Sequence, residues 1–139
     1  MTTAEIAYDL LYFGESDEVV KVIVETIAKL PATVAAFAIE RCAFVSVGKV
    51  ACGITLPGKI GVNARTRRSR NQWVILLTER LPSHDRHSIV AHEIAHAWLG
   101  HDKLSINLPK DCETKAAGLT KSWGFTGKGV CEVVPTVLI

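Results

Sequence analysis

The sequence predicts an α+β fold, and three observations lead there. Apolar residues recur at helical spacing between residues 16 and 30, short β-like runs punctuated by glycine begin near Cys42, and helical patterning returns from about His84. Helical and strand segments grouped in this way, rather than alternating, are the pattern of helices segregated beside a small sheet. At 139 residues the chain is expected to be one domain spanning 1–139, long enough for a single core but not for two.

The first residues hold Tyr8, Leu10, Leu11, Tyr12 and Phe13, closed by Gly14, and read as either a short helix or a packed arm. Ser16 or Asp17 then offers an N-cap with Glu18 in the first turn, and Val19, Val20, Ile23, Val24, Ile27 and Leu30 follow on one helical face. Pro31 stops that helix and suits the first position of a second one over PATVAAFAIER. Three strands, with room for a fourth, come from CAFVSVG, KVACGITLPG and WVILL. Between the second and third lies KIGVNARTRRSRN with Arg65, Arg67, Arg68 and Arg70, which reads as a solvated loop, with a phosphate-contacting patch as its rival. Ser83 caps a helix over about His84 to Leu99, and Gly100 ends it. After a loop with Asn107 and Pro109, Asp111 caps a last helix from Cys112 to Trp123, closed by Gly124. The apolar tail VCEVVPTVLI reads as an added edge strand or an extended packed arm.

Composition narrows the class without naming a partner. A formal charge of +2 argues neither for nor against nucleic acid. No apolar run reaches the roughly 20 residues needed to cross a bilayer, and MTTAEIAYDL lacks a basic region followed by an apolar one, so a soluble, cytoplasmic protein is expected. Cys42, Cys52, Cys112 and Cys131 show no C-x-x-C spacing and are expected as free thiols; nothing in the spacing of Cys112 and Cys131 supports a second metal or redox pair.

The most informative stretch is His92-Glu93-Ile94-Ala95-His96, an H-E-x-x-H pattern. Residues four apart on a helix share a face, so His92 and His96 can present two imidazole nitrogens to one ion, while Glu93 stands beside its open position as a base for water. Zinc is the expected metal, because it accepts imidazole and carboxylate together and lowers the pKa of its water to about 7. The flanking Ile89, Val90, Ala91, Ile94, Ala95, Ala97, Trp98 and Leu99 are apolar around nearly the whole circumference, so this helix is expected to be buried. Buried imidazoles and carboxylates need hydrogen bonds or a metal, since unpaired burial costs several kcal/mol.

A catalytic zinc usually has three protein ligands, and three residues after the motif compete for the last place, the remaining alternative being a site with no third protein ligand. Asp102 sits at the metzincin offset, but Leu99 stands where that pattern needs glycine and Gly100 comes one residue late. His101 lies five residues after His96, an offset no standard zinc pattern uses. Glu113 opens the last helix with Ala116, Ala117 and Thr120 at i+3, i+4 and i+7, small residues that let this helix approach the motif helix. A carboxylate at a helix N-terminus also complements the helix dipole without any metal.

Together, the strand before the motif, AHEIAHAWLGH and ETKAAGLTKSWGF resemble the ImmA/IrrE-type small metallopeptidases and their phage relatives, over about Trp73 to Phe125. The resemblance implies a minimal zincin-like fold, a small twisted sheet packed on the H-E-x-x-H helix with helices N- and C-terminal to it and an edge strand that receives substrate. It implies one catalytic zinc held by His92, His96 and Glu113, with Glu93 as catalytic base. The expected function is zinc-dependent hydrolysis of a peptide bond in a protein or peptide substrate, Glu93 taking a proton from the attacking water and returning it to the leaving amine. His84, His87, His101, Tyr8 and Tyr12 are candidate oxyanion donors. The strand around Ile54 to Leu56 is the expected substrate edge. Two rivals remain: a non-catalytic regulatory protein stabilised by zinc, and a nucleic-acid-associated metalloprotease docking DNA through the arginine loop.

Overall fold

The computed structural model describes residues 2–48, 53–58, 71–82, 84–102 and 108–127. The order of elements is α1 (Thr3–Asp9), β1 (Tyr12–Phe13), α2 (Asp17–Ala28), α3 (Ala32–Arg41), β2 (Cys42–Val47), β3 (Gly53–Pro57), β4 (Trp73–Thr78), α4 (Arg86–Trp98) and α5 (Cys112–Ser122). This is the α+β arrangement the sequence predicts. The four strands form one mixed sheet in the order β1-β2-β4-β3, with β1, β2 and β4 parallel and β3 antiparallel to β4.

The opening stretch is neither helix nor arm alone. Thr2 and Glu5 form a capping box, the Glu5 N–H donating to Thr2 Oγ1 and the Thr2 N–H to Glu5 Oε2, so α1 starts cleanly. Buried Leu10 and Leu11 then lead into β1, which pairs Tyr12 with Phe44 and Phe13 with Val45 and supplies the fourth strand. Of the two candidate caps for α2, Ser16 is the one used: its hydroxyl accepts from the Val19 N–H at 3.2 Å. Pro31 stands one residue earlier than expected, at the N-cap of α3 rather than inside its first turn.

Parallel strands β2 and β4 form the middle of the sheet, with Phe44 opposite Ile75, and both side chains are fully buried. They meet Ile23 and Ile27 of α2 and Ile89, Val90 and Ile94 of α4 in one continuous core. α4 is thus enclosed by the sheet, α2 and α5, and every residue from Ser88 to Ala97 is buried. Burial stops sooner than the apolar pattern suggests: Trp98 and Leu99 are about two-fifths exposed, although the Trp98 ring still meets Phe37 edge-on at 5.2 Å. The helix begins at Arg86 with Asp85 in the N-cap position and no side-chain cap bond. The expected cap Ser83 lies outside the described residues, as do Arg65, Arg67, Arg68 and Arg70, Asn107, Cys52, Cys131 and the apolar tail. No helix among the described residues is long and apolar enough to cross a membrane.

Two contacts tie the start of α4 to α2, an Arg86–Glu18 ion pair and a hydrogen bond between His87 Nε2 and Glu25 Oε1 at 3.2 Å. The hydrogen bond from His87, with lesser help from nearby Lys21 and Arg86, holds the Glu25 carboxyl below its ordinary value of 4.5. A carboxyl lowered on folding adds stability above its unfolded value and loses it as pH falls through the folded value. The stability difference between the wild type and Glu25→Gln is therefore expected to be present at neutral pH and to shrink below about pH 4.5, which urea titrations across that range will show. In the core, Phe44→Ala is expected to cost about 3–5 kcal/mol in the same experiment, the usual range for a buried phenylalanine left as a cavity.

Candidate metal centre

Helix α4 carries the three motif residues into the interior. His92 and His96 are essentially fully buried and Glu93 nearly so. The four-residue spacing stacks the two imidazoles on one face, their Nε2 atoms 3.1 Å apart and their rings nearly perpendicular. One ligand-type atom from each of His92, Glu93 and His96 lies within 4.8 Å of the others.

A second carboxylate reaches the same point from α5. Glu113 Oε2 lies 2.8 Å from His92 Nε2, and Oε1 lies 3.2 Å from His96 Nε2. Half of the Glu113 side chain is exposed, so the cluster opens to solvent on that side. Close approach of α5 depends on Ala116 and Thr120, both buried, with the Thr120 hydroxyl turned back onto the Ala116 carbonyl at 2.7 Å. Ala117 does not share this role: it is exposed, because the buried stripe runs through Cys112, Ala116 and Thr120, and i+4 from Glu113 falls outside it. Asp111 occupies the N-cap position without a side-chain cap bond, its carboxylate lying 3.6 Å from Lys115 Nζ.

Glu93 sits differently from Glu113. The Thr55 hydroxyl, fully buried on β3, is 2.7 Å from Glu93 Oε1 and 2.9 Å from the Glu93 carbonyl oxygen. Two residues earlier on the same strand face, Gly53 leaves the space the Glu93 side chain fills; a Cβ there would stand 2.7 Å from Glu93 Cγ. The strand at this end of the sheet, among the described strands, is therefore shaped around this carboxylate. Neither Gly53 nor Thr55 announces itself in the sequence as part of a site. The available signal is a glycine and a small hydroxyl residue at i and i+2 of a strand, a pattern shared by many strands with no such role.

The remaining sequence candidates are placed elsewhere. His84 lies beside Asp85 and is largely exposed, His87 pairs with Glu25, Tyr8 is 79% exposed on α1, and the Tyr12 hydroxyl donates to Ser46 Oγ at 2.8 Å on β2, beside the far edge of the sheet. His101 is near the centre but on the outer nitrogen of His96, with Nδ1 to Nδ1 at 3.0 Å, so it does not share the Nε2 side where Glu113 converges. Asp102 follows His101 and is half-buried. Cys42 and Cys112 are buried free thiols, and burial pushes the Cys42 thiol far up, which keeps it unreactive.

Two imidazole nitrogens and a carboxylate form a donor set suited to zinc. Around a tetrahedral ion with ligands at about 2.0–2.2 Å, donor atoms stand about 3.3–3.6 Å apart. The observed separations of 2.8, 3.1 and 3.2 Å need only a small outward adjustment to accept one.

A peptidase family model described as the IrrE N-terminal-like domain matches residues 54–120, just under half of the chain. The matched segment runs from β3 through the motif helix to Thr120 of α5, so it contains the whole cluster except Gly53. Over that segment the chain is similar to the IrrE N-terminal-like family, the resemblance its sequence motifs already suggest. No curated protein and no solved structure gives a significant match.

The Glu93 seat can be tested without any metal. Thr55→Val keeps the shape and deletes a donor to a buried carboxylate, so it is expected to lower stability by about 1–3 kcal/mol, whereas Thr55→Ser should stay close to the wild type. Denaturation midpoints that are the same for the valine and serine variants would contradict this account.

Proposed function

We propose that this chain, whose residues 54–120 match an IrrE N-terminal-like peptidase family model, is a zinc-dependent metallopeptidase acting on an extended protein segment. One observation carries the proposal: His92 Nε2, His96 Nε2 and the Glu113 carboxylate converge within 3.2 Å of one another, while a separate buried carboxylate, Glu93, stands beside them and is held by another element. His92, His96 and Glu113 would hold the ion, and Glu93 would remain free of it. A base carboxylate kept apart from three metal donors serves hydrolysis, and a purely structural cross-link has no need of it.

When bound, zinc would polarise the scissile carbonyl and acidify the attacking water. Glu93 takes the proton from that water and returns it to the leaving amine, so the same carboxylate serves as base and then as acid. Thr55 holds Oε1 of that carboxylate, which fixes its plane in both halves of the cycle. Burial of both histidines and Glu93 keeps bulk water from competing for the proton and strengthens each electrostatic contact. The end position of β3 among the described strands favours a substrate lying along its edge and using main-chain hydrogen bonds. A cytoplasmic setting remains part of the proposal.

Metal analysis on four proteins tests this reading. Wild type and Glu93→Gln are expected to bind one equivalent of zinc with similar affinity, and Glu113→Ala and His96→Ala to bind it about 100-fold more weakly or not at all, a loss at or beyond the upper end of what supporting residues cause. With a fluorogenic peptide library as substrate, only the wild type should cleave. Cleavage by Glu93→Gln at the wild-type rate would remove Glu93 as base, and zinc held equally well without Glu113 would remove it as ligand.

A further inference from the structure

The structure assigns His101 a role that its sequence offset conceals: it is the positioning residue for His96, an inference that rests on the metal reading above. Helix α4 ends at Trp98, Leu99 is the C-cap, and Gly100 follows with φ +73°. The Gly100 N–H donates to the Ala97 carbonyl at 3.0 Å and the His101 N–H to the His96 carbonyl at 2.9 Å. These are the two bonds of a Schellman cap, in which the residue after the left-handed glycine turns back along the last helical turn. The residue returned in this way is His101, and the one it meets is His96.

The ring contact follows from that reversal. His101 and His96 are both buried, their Nδ1 atoms are 3.0 Å apart and their ring centroids 5.2 Å apart. When two imidazole nitrogens share a hydrogen bond, one donates and the other accepts. His96 Nε2 faces His92 and Glu113 and must offer a lone pair there to bind an ion, so its proton belongs on Nδ1. His101 Nδ1 is then the acceptor. This bond sets the tautomer and the ring plane of His96 together, the service a metal-ligating histidine usually receives from a carboxylate or a carbonyl. His92 has no such support among the described residues, where its buried Nδ1 lacks a hydrogen-bond partner. The two histidines of the motif are therefore unequal: His96 is held in advance, and the glycine that seemed one residue late is the hinge that holds it. Gly100 is needed for its backbone conformation alone, since a Cβ there would meet nothing within 4 Å.

The test uses the full chain and zinc alone, with affinity measured by competition against a chromophoric chelator. His101→Leu, which removes the acceptor, is expected to weaken zinc binding about 10–100-fold, and His101→Gln, which restores an acceptor oxygen, to recover part of that loss. Gly100→Ala, strained at positive φ, should shift affinity in the same direction by less. Thermal melting of each metal-free variant separates loss of positioning from loss of folding. A second reading comes from imidazole nitrogen NMR on the zinc-loaded wild type, where His101 is expected with its proton on Nε2. Wild-type zinc affinity in a folded His101→Leu protein, or a proton on His101 Nδ1, would overturn this inference alone. A wild type that binds no zinc would overturn it together with the metal reading.

Discussion

Two imidazoles and a carboxylate placed inside a helix that is buried along ten consecutive residues impose the constraint on which the rest of this structure depends. Polar groups taken out of water must be met by partners, and few partners are available in an apolar core. Apart from His92 Nδ1, the chain meets these groups from three separate places. Glu113 of α5 meets the Nε2 atoms of both histidines, Thr55 of β3 meets Glu93, and the capped end of α4 folds His101 onto His96. The positions of α5, β3 and the α4 terminus are thus three answers to the same desolvation problem.

Those answers also separate the two carboxylates by position. Glu93 is held from the sheet side by a buried hydroxyl and seated in the space left by Gly53, whereas Glu113 enters from the solvent side with half of its side chain exposed. On the proposed reading, the seated carboxylate is the one that would transfer protons, and the one at the mouth of the cluster is the one that would close around an ion. The hydrophobic layer beneath supplies the rigidity: Phe44, Ile75, Ile89 and Ile94 pack the motif helix against parallel strands β2 and β4, so His92 and His96 project from a fixed surface. Antiparallel β3, paired only with β4 among the described strands, is left to shape the carboxylate on one side and to present an edge on the other.

Much of the fold is legible from local pattern because local physics decides it. The helical spacing of Val19, Ile23 and Ile27, the hydroxyl of Ser16 and the left-handed glycines after α4 and α5 act within a few residues of themselves. The two-residue strand Tyr12–Phe13 was not legible as a strand, since pairing with Phe44 and Val45 creates it and its own sequence does not. Ala117 was misread for a related reason. Helical periodicity shows which residues can share a face but not the angle at which the partner helix arrives, and burial selects the Cys112, Ala116 and Thr120 stripe instead.

By itself, the sequence determined that α4 is a buried helix with two stacked imidazoles and an adjacent carboxylate, because a period of 3.6 residues and an apolar circumference act along one continuous segment. It also pointed to Glu113, through the small residues that follow it. Only the tertiary structure decided that Glu113 meets both histidines, that Gly53 and Thr55 seat Glu93, and that His101 lies behind His96 rather than beside it. The first two depend on contacts between elements far apart in the chain, whose distances no local pattern encodes. The last depends on a reversal of the backbone at Gly100, which turns a residue five positions along the sequence into a neighbour in space.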